Sequence, residues 1–202
     1  MIFSTKLSVN YENIQKNKRA IIVDNFYKDP DAVREYALQQ EFFEGDAFVG
    51  RRTNQQFLFP GLRDSFQSII GSRITKWEEY GMNGRFQHNN AGDPLVYHAD
   101  GQRWAGMIYL TPDAPPWSGT NMLRHRETKI HHTSQVVADM SEIFNQKTFL
   151  DPSPYETVDK FGNIYNRLTL FEGNNIHAAG GYFGWDKESA RLWHMFFFDT
   201  EI

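Results

Sequence analysis

Three side chains could do metal chemistry together: His98, Asp100 and His177. The first two stand in Tyr97-His98-Ala99-Asp100. In an extended chain, residues i and i+2 point to the same side. One strand end can therefore bring an imidazole nitrogen and a carboxylate oxygen to a common point. Those are two ligands of a facial triad, which leaves other coordination positions open. An isolated HxD pair arises readily by chance among seven histidines and 25 acidic residues, and a solvated turn is its ordinary meaning. The context reverses that. An apolar strand follows the pair, and His177 lies on a turn between a strand at residues 167–171 and a bend containing Gly180, Gly181 and Gly184.

Arg191 is the next informative residue, because it opens the almost wholly apolar run Arg-Leu-Trp-His-Met-Phe-Phe-Phe. An unpaired cation is costly to bury. Either Arg191 snorkels at an exposed strand end, or it holds an anion in a bidentate fork. By the period of two, Arg191, Trp193, Met195 and Phe197 share a face; His194 lies on the other with Leu192, Phe196 and Phe198, as a core histidine and not a ligand. His125, His131 and His132 lack a carboxylate at ligand spacing and read as surface histidines of a loop. Arg124, Arg126 and Lys129 read as a solvated face, and Trp104 and Trp117 either line a pocket or pack the barrel.

The elements that must position these groups follow from periodicity. Residues 85–88, 95–98, 104–110, 121–124, 167–171 and 191–198 are short β-like runs separated by Gly, Pro and Asn turns, the pattern of a β-sandwich or barrel. Ahead of them, residues 19–23 read as a strand. Asp29-Pro30 opens a helix to about Glu41, and a second helix is expected from Gly61 to about Ile70. Residues 131–145 show helical spacing through Val136, Val137, Met140, Ile143 and Phe144, inside an insertion at about 125–163 expected over the barrel mouth. The expected organisation is one domain over 1–202: α/β support at 1–84 and a β-core at 85–202.

Composition agrees with a packed β-protein: aromatic residues make up 15% of the 202 positions. There is no cysteine, hence no disulfide and no thiolate ligand. A net charge of −4 gives no reason to expect a nucleic-acid partner. No apolar run is long enough to span a bilayer and the first residues lack a secretory pattern, so a soluble cytoplasmic protein is expected. Oligomeric state is not legible.

The ordered set of motifs resembles the Fe(II)/2-oxoglutarate-dependent oxygenases, within them the prolyl 4-hydroxylase-like group. The resemblance runs from about residue 85 to 199. It rests on His98-Ala-Asp100, the strand Trp104-Ala-Gly-Met-Ile-Tyr-Leu110, the turn Ser118-Gly-Thr-Asn121, the strand and turn leading to His177, and Arg191-Leu-Trp. Val23-Asp-Asn-Phe26 is similar to the family's lead-in to a helix. The resemblance implies a mainly β fold with flanking α, a double-stranded β-helix (jelly roll, cupin-like) with N-terminal helices. It implies Fe(II) on His98, Asp100 and His177, with 2-oxoglutarate as co-substrate. Arg191 would pair with the remote carboxylate of 2-oxoglutarate and the Tyr109 hydroxyl would support it. The implied activity is hydroxylation of a peptidyl side chain or small molecule. Phe197 stands where the nucleic-acid demethylase branch has a second Arg, and Asp100 keeps the carboxylate that halogenases lack. Two other readings stay open: a cupin-like metalloenzyme that does not use 2-oxoglutarate, and a jelly-roll binding or assembly module without catalysis.

Overall fold

The structure, a computed structural model, describes residues 14–16, 19–136, 141, 143–144 and 149–201. In chain order the described elements are β1 (Ile14–Lys16), β2 (Ala20–Val23), α1 (Pro30–Leu38), β3 (Phe43–Gly45), β4 (Phe48–Arg52), α2 (Leu62–Ile70), β5 (Ile74–Lys76) and β6 (Phe86–Asn89). They continue with β7 (Trp104–Tyr109), β8 (Thr120–His125), β9 (Tyr155–Phe161), β10 (Leu168–Glu172), β11 (His177–Ala179) and β12 (Arg191–Thr200).

Two antiparallel sheets result. The major sheet runs β1-β2-β10-β7-β12-β6-β4-β3, with β5 paired to the far end of β12, and the minor sheet runs β11-β8-β9. The apolar strand β12 lies at the centre, between β7 and β6. Its period of two decides which side of the sheet each residue serves. Leu192, Phe196 and Phe198 join Phe26, Leu62 and Phe66 in the main core beneath the helices. Phe66 meets Phe196 at 4.7 Å and Phe198 at 5.3 Å between ring centroids. Trp193 and Met195 pack on the opposite face with Tyr109. His194 sits in the helix-side core, where the Tyr27 hydroxyl meets its Nδ1 at 2.8 Å and its Nε2 faces the Gly84 carbonyl at 3.0 Å. A carbonyl only accepts, so Nε2 carries the proton and the Tyr27 hydroxyl donates to Nδ1.

Helix α1 starts where the sequence indicates. Asp29 accepts a bond from the Ala32 amide at 3.0 Å, and Pro30 occupies the first turn. It stops at Leu38, short of Glu41, because the chain turns into β3. Other expectations need correction. Residues 95–98 form no strand; only His98 pairs, in an isolated bridge with His177. The expected insertion at about 125–163 contains β9, whose register against β8 makes it an integral strand of the minor sheet. Of the helix expected at 131–145, the described residues show a 3-10 turn at Thr133–Gln135. His132 and Gln135 cap that turn reciprocally, and Val136 is already extended (ψ 118°). Val136 packs against the cluster that includes Leu123 and Tyr155. Val137, Met140 and residues 145–148 lie outside the described residues. No described helix is long and apolar enough to cross a membrane.

Candidate active site

The two histidines of the triad are joined by their backbones. The His98 amide donates to the His177 carbonyl at 3.1 Å, and the His177 amide donates to the His98 carbonyl at 2.8 Å. Asp100 is tied to the end of β10: its amide donates to the Gly173 carbonyl at 2.7 Å, and Asn174 Nδ2 donates to the Asp100 carbonyl at 2.9 Å. Gly173 is required for that approach. A Cβ there would stand 2.6 Å from the Gln102 carbonyl oxygen and 3.1 Å from the Asp100 Cβ. Side-chain convergence thus comes from a bridge and a turn, not from the strand end expected at 95–98.

His98, Asp100 and His177 are the group among the described residues whose ligand atoms converge for a metal ion, all within 4.8 Å of one another. His98 Nε2 lies 3.6 Å from Asp100 Oδ1, and His177 Nε2 lies 3.5 Å from Asp100 Oδ2. These are not ordinary ion pairs. His177 Nδ1 meets the Asn175 carbonyl at 2.8 Å, so Nδ1 must carry its proton. Burial, with His98 close by, pushes the His177 imidazole down to about 4, so the ring is neutral at pH 7. Its Nε2 lone pair therefore faces a carboxylate oxygen that is buried and has no hydrogen-bond partner. Two electron-rich atoms aimed at one another are unfavourable unless a cation lies between them. His98 repeats the arrangement more loosely, with Nδ1 at 3.3 Å from the Val96 carbonyl. Carbonyls that fix Nδ1–H and free Nε2 are the usual support of metal-bound histidine, so the donor set fits a divalent ion.

The triad opens on a cavity of about 370 Å³ whose wall also includes Arg191, Thr120, Trp193 and Arg52. Arg191 does not snorkel; it is 1% exposed. Its Nε donates to the Ser118 carbonyl at 2.6 Å and its Nη2 to the Gly119 carbonyl at 3.2 Å. The guanidinium lies 4.2 Å from the Trp193 ring centroid and 5.3 Å from that of Tyr109. No carboxylate lies within ion-pair distance of Arg191 among the described residues. A buried cation without a counter-ion is expensive, which makes an incoming anion its natural complement. The Ser118-Gly119 turn that orients it depends on Gly119, where a Cβ would fall 1.8 Å from the Phe161 carbonyl oxygen.

Tyr109 is fully buried behind this wall, and its hydroxyl meets Thr120 Oγ1 at 2.8 Å. Thr120, not singled out from the sequence, lines the cavity in its place, as does Tyr182. The inward position of Thr120 follows only from the register that pairs it with Ala179 and Phe161. Arg52 was equally hidden, in a polar stretch whose strand character is not evident. The remaining candidates stand elsewhere. Trp104 packs against the helix-side core, Trp117 is exposed, and Arg124 and Lys129 pair with Glu156 at 2.5 and 2.9 Å. His125 bonds Thr128 within its own turn.

No protein-family profile matches the chain, and no curated protein matches it by sequence. Solved structures do match its fold. One is HygX from Streptomyces hygroscopicus with nickel and 2-oxoglutarate bound, at a TM-score of 0.57 and 11% identity over 87% of this chain and 80% of that one. Another is a prolyl hydroxylase from Trichoplax adhaerens in complex with a hypoxia inducible factor peptide fragment, at a TM-score of 0.51 and 15% identity over 88% and 82%. At such identities the likeness is one of fold, and that fold is the double-stranded β-helix expected from the motifs.

Proposed function

We propose that this chain is an Fe(II)- and 2-oxoglutarate-dependent oxygenase, a hydroxylase of a small molecule or a peptidyl side chain. The observation that carries the reading is the union, in one cavity, of a lone-pair-to-carboxylate triad and a buried guanidinium without a counter-ion. The triad calls for a divalent cation, and Arg191 for an anionic group at a separate point of the same wall. A co-substrate that chelates metal at one end and bears a carboxylate at the other meets both demands. The fold shared with a protein that has nickel and 2-oxoglutarate bound supports this choice.

In this reading His98, Asp100 and His177 hold Fe(II), which when bound supplies oxygen activation coupled to decarboxylation of 2-oxoglutarate. The protein's own work is positional. The Asn175 and Val96 carbonyls keep both Nδ1 atoms protonated and both Nε2 atoms free. Ser118 and Gly119 orient the Arg191 fork toward the remote carboxylate. Thr120, steadied by the Tyr109 hydroxyl, offers a further hydroxyl beside it. Tyr109 thus supports the co-substrate through Thr120. Phe48, Val49 and Phe149 give the cavity an apolar side that limits water.

The cupin-like alternative, and a non-catalytic module with a structural metal, leave the charge of Arg191 unexplained, and a module without metal also leaves the Asp100 carboxylate unexplained. The test is stoichiometric Mn(II) binding together with succinate formation from 2-oxoglutarate on adding Fe(II) and oxygen. Wild type is expected to do both. His98→Ala and His177→Ala are expected to do neither while keeping the native far-UV circular dichroism. Wild-type metal affinity in both variants, or no 2-oxoglutarate binding by wild type, refutes the assignment.

A further inference from the structure

The cavity holds a second cation that the co-substrate does not explain. Arg52 lies on β4 opposite Gln87 of β6, and Gln87 lies opposite Trp193 of β12. Paired residues share a face, so Arg52, Gln87 and Trp193 form one row across the concave side of the sheet. Two strand spacings of about 4.8 Å put Arg52 roughly 10 Å from the strand that carries Arg191. The two guanidinium groups therefore enter the cavity from different strands, with Tyr182 also in its wall.

Arg52 is braced and unmatched. Gln87 Nε2 donates to the Val49 carbonyl at 3.0 Å and to Asn89 Oδ1 at 2.8 Å. Those bonds turn Gln87 Oε1 toward Arg52 Nε, which donates to it. The guanidinium stacks 4.2 Å from the Phe48 ring centroid, and Nη1 meets only the Met82 sulfur, at 3.8 Å. No carboxylate among the described residues pairs with it, and the only acid in the cavity wall is Asp100 of the triad. Arg85 adds to the excess: its charge opposes that of Arg52, and its Nε is buried without a partner. Neither arginine has an ion-pair partner among the described residues, and the acid whose charge reaches Arg52 is Asp100, which is committed to the triad. A side chain serving the fold alone gains nothing from a charge that its neighbours oppose; one that receives an anionic ligand does.

We propose that the substrate of this site is a small carboxylic acid whose carboxylate is held by Arg52, with an apolar body lying between that anchor and the triad. This rests on the oxygenase reading and deepens it. The apolar body follows from Phe48, Met82, Val96 and Phe149, which line the cavity on the same side. The volume of about 370 Å³ is modest for a co-substrate and a substrate together, which restricts the acid to a small molecule.

The experiment uses the full chain loaded with Mn(II) and saturating 2-oxoglutarate, without oxygen, so that Arg191 is already engaged. Matched acid and amide pairs (hexanoate and hexanamide, 3-phenylpropanoate and 3-phenylpropanamide, N-acetylleucine and its amide) are titrated by ligand-observed NMR. Wild type is expected to bind the acids at least about tenfold more tightly than the amides, by the coupling typical of a desolvated charge pair. Arg52→Gln should erase the difference, and Arg52→Lys should restore part of it. Both variants should hold 2-oxoglutarate within about threefold of wild type, a margin of under 1 kcal/mol. Equal binding of acids and amides by wild type overturns the proposal, as does a preference that survives in Arg52→Gln. If 2-oxoglutarate affinity collapses in Arg52→Gln but not in Arg191→Met, Arg52 anchors the co-substrate and the proposal also falls. Failure of wild type to bind 2-oxoglutarate removes the oxygenase reading separately; the same pairs, titrated into the Mn(II)-loaded protein, then decide the anion site at Arg52 by the same criteria.

Discussion

Replacing Arg191 by methionine separates a binding role from a structural one, because the two predict effects of different size on different quantities. Methionine keeps the length of the side chain and removes the fork. In the metal-free protein the change loses two charge-assisted bonds, to Ser118 and Gly119, at about 1.5–3 kcal/mol each. It also loses stacking on Trp193, about 1–2 kcal/mol. Against these stands the desolvation of a charge that is 1% exposed, several kcal/mol for a buried ion, which methionine does not incur. The contributions nearly cancel, and unfolding free energy is expected to move by less than about 2 kcal/mol in urea titrations. Co-substrate binding has no such cancellation. Losing one member of a desolvated ion pair costs about 2–5 kcal/mol, or roughly 30- to 4000-fold in affinity. Calorimetric titration of 2-oxoglutarate into the Mn(II)-loaded, oxygen-free protein reads that loss, with metal affinity held. Arg191→Lys should lose less, keeping the charge without the fork. A variant that binds 2-oxoglutarate like wild type but unfolds more easily by about 4 kcal/mol would show that Arg191 is a structural prop.

Stability should also depend on pH through His194. Burial pushes its imidazole down to about 3, while the unfolded chain titrates near the ordinary 6.5. The folded value is the lower one, so this contribution is intact above pH 6.5 and declines by about 1.4 kcal/mol per pH unit as pH falls toward 3. His194→Phe should flatten that slope in urea titrations between pH 7 and 5, and should cost about 1–3 kcal/mol at pH 7 by stranding the Tyr27 hydroxyl, while the Gly84 carbonyl keeps the Phe57 amide; an unchanged slope would contradict the buried neutral ring. Gly173→Ala should weaken Mn(II) binding about tenfold, a change of about 1.4 kcal/mol, because its Cβ displaces the loop that carries Asp100; retained affinity by calorimetry would show that the loop yields freely. Gly119→Ala, with its Cβ against the Phe161 carbonyl, should lower the thermal midpoint of unfolding and weaken 2-oxoglutarate binding together, and a loss of either alone would uncouple the turn from Arg191.

The parts of this molecule legible in its sequence are those where one force dominates. Alternation along β12 is written plainly, because one face meets the helices and the other meets the cavity, so Arg191 and His194 fall on their correct sides. Asp29-Pro30 likewise announces α1 through a cap that needs no tertiary partner. Where two forces compete, the pattern blurs. A register shift between Met122 and Leu123 breaks the pairing of β8 with β9, and only the ends of β9 are buried, so its alternation was lost in an apparent insertion. Gly50, with φ of 90°, and two arginines give β4 the look of a loop, which hid Arg52. The convergence of His98 and Asp100 was anticipated for a simpler reason than the true one: a single bridge and the close approach of Gly173 replace the continuous strand.

The central place of β12 has a consequence for biosynthesis. On one side it holds the group β1-β2-β10-β7, and on the other β6-β4-β3. A growing chain that ends before Arg191 has every strand of both groups but nothing to join them, and each presents an open edge where β12 belongs. It also lacks the guanidinium that completes the cavity. The two half-sheets must wait, exposed and mutually unpaired, until residues 191–200 emerge from the ribosome. Until β12 is in place both edges stay open to pairing with other chains, so that interval is when a nascent chain is most prone to aggregate.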